Sequence, residues 1–151
     1  MDSLRELYQD VILDHHRKPR NRREMPEASA KASGYNPLCG DRVAVFVKLA
    51  GDVIEDVTFV GSGCAISQAS ASMMTDCLKG RTKVEAEKVA DAFQQLVTDE
   101  HATLPEGDEL VEKLEAFAGV REFPSRVKCA SLAWHALRAA LEHPGDTVTT
   151  E

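Results

Sequence analysis

The sequence predicts an α+β fold, a three-stranded antiparallel sheet packed on one face by about five helices. Three observations predict it. Alternation of period two is confined to "ASAKAS", "RVAVFVKL" and "VIEDVTFV", between Ala28 and Val60. Apolar residues at helical spacing occupy the start of the chain and everything from Ile66 onward. Strands precede most helices, with neither an internal repeat nor a linker between them, so residues 1–151 read as a single domain, ordered from about residue 4 to 143.

The first helix opens on a capping box, Ser3 with Glu6, and carries Leu4, Leu7, Tyr8, Val11 and Ile12 on one stripe up to Pro19. A polar connection leads to a first strand over Ala28 to Ser33. Arg42 to Leu49 and Val53 to Val60 then form a hairpin around the turn Ala50-Gly51-Asp52. Val43, Val45, Val47 and Leu49 share one face of it, which must be covered by helices. The second helix starts at Ile66, buries Ile66, Ser70, Met73, Met74 and Cys77, and stops at Gly80. A third begins at Thr82 with a Thr82–Glu85 capping box and turns Val89, Phe93, Leu96 and Val97 inward. A fourth covers "DELVEKLEAFAG" with Leu110, Val111, Leu114, Phe117 and Ala118 buried, ending at Gly119. The last starts near Pro124 or Ser125, buries Leu132, Ala133, Ala136, Leu137, Ala140 and Leu141, and ends before Pro144. The tail "GDTVTTE" reads as frayed.

No apolar run approaches the length of about 20 residues that a membrane span needs, and "MDSLRELYQD" contains acids where a secretion signal has an apolar stretch. The expected setting is the cytoplasm. A net charge of −7 argues against nucleic acid as a partner, and the one basic excess, "HHRKPRNRR", suits an acidic protein partner or plain solvation equally.

Four cysteines in a reducing compartment are not a disulfide framework. Cys77 falls mid-helix beside Met73 and Met74 and reads as core. The other three stand at element ends: Cys39 in the turn "YNPLCGD", Cys64 in "GSGCAIS" between strand and helix, and Cys129 in "RVKCASLAW" at the start of the last helix. Helix N-termini favour a thiolate at Cys64 and Cys129. Pro37 and Gly40 shape a turn that presents its side chains, and Asp41 is the oxygen donor nearest to Cys39. Three thiolates and a carboxylate would close a tetrahedral zinc site. The cysteines are far apart in sequence and form no C-x-x-C pair, so spacing alone leaves metal binding and three unrelated packed thiols equally open.

The blocks "NPLCGD", "GSGCAIS" and "RVKCASLAW", with the opening "LYQDVILDHHRKPRN", resemble the IscU-type scaffold superfamily and, within it, the SufU branch. The resemblance runs from about Leu4 to Leu141. IscU proteins carry a histidine just before the third cysteine where this chain has Lys128, and the stretch between the second and third cysteines is longer here, as in SufU proteins. The resemblance implies a SufE/IscU-like fold and a zinc-dependent sulfurtransferase. Such a protein takes persulfide sulfur from a SufS-type cysteine desulfurase and passes it to a downstream Suf cluster-assembly scaffold. It also implies Cys39, Asp41, Cys64 and Cys129 as zinc ligands, with Cys39 as the sulfur acceptor. Such a site has a net charge near −2, which Arg126, three residues before Cys129, is placed to offset. The alternative is a scaffold for a [2Fe–2S] cluster on the same residues.

Other motifs lead nowhere. "GSG" lacks both the third glycine of a dinucleotide loop and the Lys-Ser/Thr of a phosphate loop, and no G-x-S-x-G or H-E-x-x-H occurs. His15 and His16, at the end of an amphipathic helix, read as surface residues outside the metal site, and Trp134 as core or contact surface.

Overall fold

The computed structural model describes residues 2–143, 145 and 147–149, with side chains from Gln9 onward. In chain order the elements are α1 (Asp2–Arg17), β1 (Ala30–Asn36), β2 (Asp41–Ala50), β3 (Val53–Ser62), α2 (Ala65–Leu78), α3 (Lys83–Thr98), α4 (Glu109–Glu112), a 3-10 segment (Lys113–Glu122), α5 (Pro124–Glu142) and β4 (Thr147–Thr149). The Ser3–Glu6 capping box and the stripe positions Leu4, Leu7 and Tyr8 lie outside the described side chains.

The sheet runs β3-β2-β1-β4. Its first three strands pair antiparallel as expected, but β4 joins the free edge of β1 in parallel, so the sheet is four-stranded and mixed. A three-residue strand is too short to show a period, but Thr and Val suit a pleated surface and pair with an edge that would otherwise be open. β1 also lies later than its alternation suggested, and its last residue, Asn36, stands opposite Asp41 at the start of β2. That pairing leaves only Pro37–Gly40 to reverse the chain, with Gly40 at φ +70° donating its N–H to the Asn36 carbonyl at 2.8 Å.

Helices cover one face. α5 lies over β1 and β2, and α2 over β3, around a core that includes Val45, Val47, Phe59, Met74, Phe93, Leu132 and Trp134. Trp134 is core: its ring stacks on Phe93 at 4.6 Å between centroids, and its indole N–H donates to Ser70 Oγ at 3.1 Å. The Thr82–Glu85 capping box is present at the start of α3. The expected fourth helix is instead one short α-turn followed by the 3-10 segment, which passes Gly119 and continues to Glu122. Val111, Leu114, Phe117 and Val120 are all buried at a spacing of three, the period of a 3-10 helix, so burial of that row overrides the α-helical reading.

His15 corrects a further expectation. It is 5% exposed, and its Nδ1 lies 2.7 Å from Ser72 Oγ on α2. The same hydroxyl accepts the Arg20 N–H at 2.8 Å. His15 thus fastens α1 to α2, whereas His16 is exposed.

Candidate metal centre

The centre forms where the β1–β2 turn, the β3–α2 junction and the second turn of α5 meet. Cys39, Asp41 and Cys129 each offer a donor atom within 4.8 Å of the other two. Cys129 Sγ lies 3.5 Å from Cys39 Sγ, a contact of free thiols far longer than a disulfide. Donors about 2.3 Å from a tetrahedral zinc stand roughly 3.8 Å from one another, so two sulfurs and a carboxylate at these separations suit such an ion. The donor set fits the metal that the sequence resemblance implies.

The three donors differ in exposure. Cys39 is exposed on the turn, while Asp41 and Cys129 are fully buried. The "CGD" turn therefore presents its thiol alone, since Asp41 is the first residue of β2 and points into the protein. Asp41 Oδ1 accepts the Cys64 N–H at 2.9 Å, and Oδ2 accepts from Asn36 Nδ2 at 3.3 Å. Gly63 makes room for the carboxylate: its φ is +146°, and a Cβ there would come within 2.2 Å of Asp41 Oδ1.

Cys64 is close by but is not part of the mutual set. It caps α2, its Sγ accepting the Ser67 N–H at 3.4 Å, which bears out the reading of a cysteine at a helix N-terminus. Cys129 sits one turn deeper in α5, beyond the unpaired amides, and burial pushes its thiol well above the ordinary range. The neighbouring Asp41 carboxylate and the Cys39 and Cys64 sulfurs push the same way. Without a metal, then, Cys129 holds its proton, contrary to the expectation from helix position. Arg126 is exposed, and its side chain makes no hydrogen bond or salt bridge among the described residues.

Asn36 was missed by sequence reasoning. It is fully buried, and its Nδ2 faces both Asp41 Oδ2 and, at 3.7 Å, Cys129 Sγ, while its Oδ1 accepts the Leu38 N–H at 3.2 Å. One amide thus joins two donors to the backbone of the loop that carries the third. The available signal was its position inside the "NPLCGD" block. Cys77 lies away from the site, buried, with its thiol pushed up to about 11 by burial, as its core reading requires.

Residues 7–130 match the family described as NifU-like N terminal domain. The iron–sulfur cluster assembly scaffold protein IscU of Streptococcus pyogenes serotype M1 is 42% identical over 142 residues, covering 94% of this chain and 87% of its own. The zinc-dependent sulfurtransferase SufU of Bacillus subtilis (strain 168) is 41% identical over 137 residues, 89% of each chain. In three dimensions, the crystal structure of a candidate iron–sulfur cluster assembly scaffold protein for the SUF system from Fervidobacterium islandicum AW-1 aligns with a TM-score of 0.79 at 32% identity. That alignment covers 87% of this chain and 94% of that one.

Proposed function

The chain belongs to the NifU-like N-terminal domain family of iron–sulfur cluster assembly proteins and is of the SufU type, and from that premise we propose that it is a zinc-dependent sulfurtransferase. It receives persulfide sulfur on Cys39 from a SufS-type cysteine desulfurase and delivers it to a downstream Suf cluster-assembly scaffold in the cytoplasm. The observation that carries this reading is the exposure pattern of the donor set: one thiol on a surface turn, held against a buried thiol and a buried carboxylate.

Cys39, Asp41 and Cys129 would hold the zinc ion, with Cys64 as the fourth donor once its sulfur leaves the Ser67 N–H. Bound zinc keeps thiolates deprotonated at neutral pH and lowers their nucleophilicity until they are released. The chain's own part is to give Cys39 the freedom that the other donors lack. Its turn has four residues and faces solvent, whereas Asp41 is held by two hydrogen bonds and Cys129 by its helix. When a donor persulfide arrives, the Cys39 thiolate attacks the outer sulfur. A new S–S bond forms at Cys39, the donor's S–S bond breaks, and its electron pair leaves as the donor thiolate. Cys39 then carries the persulfide, and Arg126, three residues before Cys129 in the sequence and exposed, would meet its negative charge.

The names of the relatives sustain one other reading, a scaffold on which a [2Fe–2S] cluster is assembled by the same donors. Lys128, where IscU proteins have histidine, weighs toward transfer. Metal analysis and a desulfurase assay separate the two. Transfer requires a colourless protein with one zinc that accelerates desulfurase turnover, an acceleration abolished in Cys39→Ser. A red-brown, iron-loaded protein without that acceleration would establish the scaffold instead.

A further inference from the structure

Beside the metal centre, on the other side of the Gly61–Gly63 strand end, lies a cleft of about 390 Å³. His16 and Arg17 at the end of α1, Arg22 from the connection that follows, Gly61 and Gly63 from β3 and its exit, and Gln68 of α2 line it. No carboxylate does, although acidic residues outnumber basic ones in the chain, 25 to 18. The nearby Asp14 is engaged by Arg20 at 2.6 Å. Asp41 is fully buried behind Gly63 and bound to the Cys64 N–H. The side chain of Arg17 has no hydrogen bond or salt bridge among the described residues, and Arg22 donates one N–H, to the Gly61 carbonyl at 2.9 Å. Most guanidinium donors on this wall are therefore free for a ligand.

Gln68 supplies the second, independent observation. It is only 8% exposed, lines the same cleft, and its buried amide nitrogen has no hydrogen-bond partner. A buried amide left unpaired is costly, and an oxyanion held by the guanidinium groups would give the Gln68 amide an acceptor once its side chain turns into the cleft that the residue lines. We propose that this cleft binds a small phosphate-bearing ligand. Two guanidinium groups suit a phosphate dianion, which they can bind through paired N–H···O bonds, and the cleft is far larger than a bare carboxylate needs. Occupancy would brace the strand end whose Gly63 cradles Asp41. The site does not depend on the sulfur-transfer reading.

The test is a titration of the zinc-loaded, full-length protein with inorganic phosphate, followed by NMR at the backbone amides of Gly61, Ser62 and Gly63 and the side-chain amide of Gln68. Saturable shifts confined to these groups are expected. Arg17→Gln, which removes a side chain with no described partner and so leaves the fold intact, should weaken phosphate binding by about tenfold. Gln68→Leu should weaken it as well, while zinc content stays at the wild-type level in both. Absence of saturation, an undiminished response in Arg17→Gln, or an equal response to acetate or sodium chloride at matched ionic strength would overturn the proposal, because each would mean screening rather than recognition.

Discussion

Cys39 and Cys129 face each other across 3.5 Å, yet they belong to regions built on opposite principles. Cys39 stands on a four-residue exposed turn between two strands, held at its ends by the Asn36–Asp41 pair and within it by the Leu38 N–H bond to Asn36 Oδ1. Cys129 is fully buried in the second turn of a 19-residue helix that packs on both the sheet and α2. The difference teaches that donors in one site need not be equivalent. On the proposed reading, the fixed half would keep the geometry and the movable half would give the site its chemistry.

Removing the movable donor should have the largest effect. Cys39→Ser is expected to abolish desulfurase stimulation while leaving the fold unchanged, because an exposed side chain contributes little to packing. Circular dichroism and the desulfurase assay read the two outcomes separately. Residual stimulation above background would show that a different thiol accepts sulfur.

On the fixed side, the sharpest break is Gly63→Ala. The new Cβ would meet Asp41 Oδ1 at 2.2 Å in a backbone conformation that only glycine adopts without strain, a strain costing about 1–3 kcal/mol before the clash is counted. A lower melting temperature together with loss of zinc is expected. Loss of zinc with unaltered stability would mean that Gly63 shapes the metal geometry alone.

How much of this asymmetry was legible in the sequence follows from the range of the interactions involved. The Cys39-Gly40-Asp41 turn was readable because Pro37 and Gly40 act on their immediate neighbours, and Cys64 as a helix-start residue because a cap is local. That Asp41 turns inward, that Cys129 keeps its proton and that Asn36 joins the donors all depend on which elements pack together, and local periodicity does not encode that. The burial of His15 is similar, since its partner Ser72 lies on another helix. The hairpin and the long helices were legible from periodicity, whereas β4 and the 3-10 segment were not. The first is too short to show a period, and the row at 111, 114, 117 and 120 gains its meaning only from the surface it covers.

Asn36→Ala tests the link between the two halves at smaller cost. Loss of its bonds to Asp41, Cys129 and the Leu38 N–H removes a support of the donors rather than a donor, so zinc affinity should fall by about 10–100-fold. Competition with a chromogenic chelator measures that loss. Unchanged affinity would make the amide a plain turn residue.

Cys77 sharpens the comparison as a buried cysteine with no site role. Its thiol is pushed up to about 11, so the folded protein keeps this proton where an unfolded cysteine, near 9, has lost it. The unfolded state then binds fewer protons, and stability contributed by this position is present below pH 9 and declines between pH 9 and 11. Urea melts across that window should show the decline, with a shallower slope in Cys77→Ala. Identical slopes would assign the decline to other groups. With iodoacetamide at neutral pH, Cys39 should be alkylated first in the metal-free protein, and the buried Cys77 and Cys129 last.

The smallest structural effect belongs to Arg126. Its exposed side chain makes no hydrogen bond or salt bridge among the described residues, so Arg126→Gln should change stability by no more than about 0.5 kcal/mol and leave zinc in place. If the guanidinium meets the sulfur leaving the fixed half, stimulation should nonetheless slow, and Arg126→Lys should restore it in part, since a point charge replaces some of the attraction but not the forked hydrogen bonds. Slowed turnover with normal zinc content and normal melting would place Arg126 with the movable half. Wild-type turnover in Arg126→Gln would remove it from the site and leave the released sulfur to be stabilised by the turn and by solvent alone.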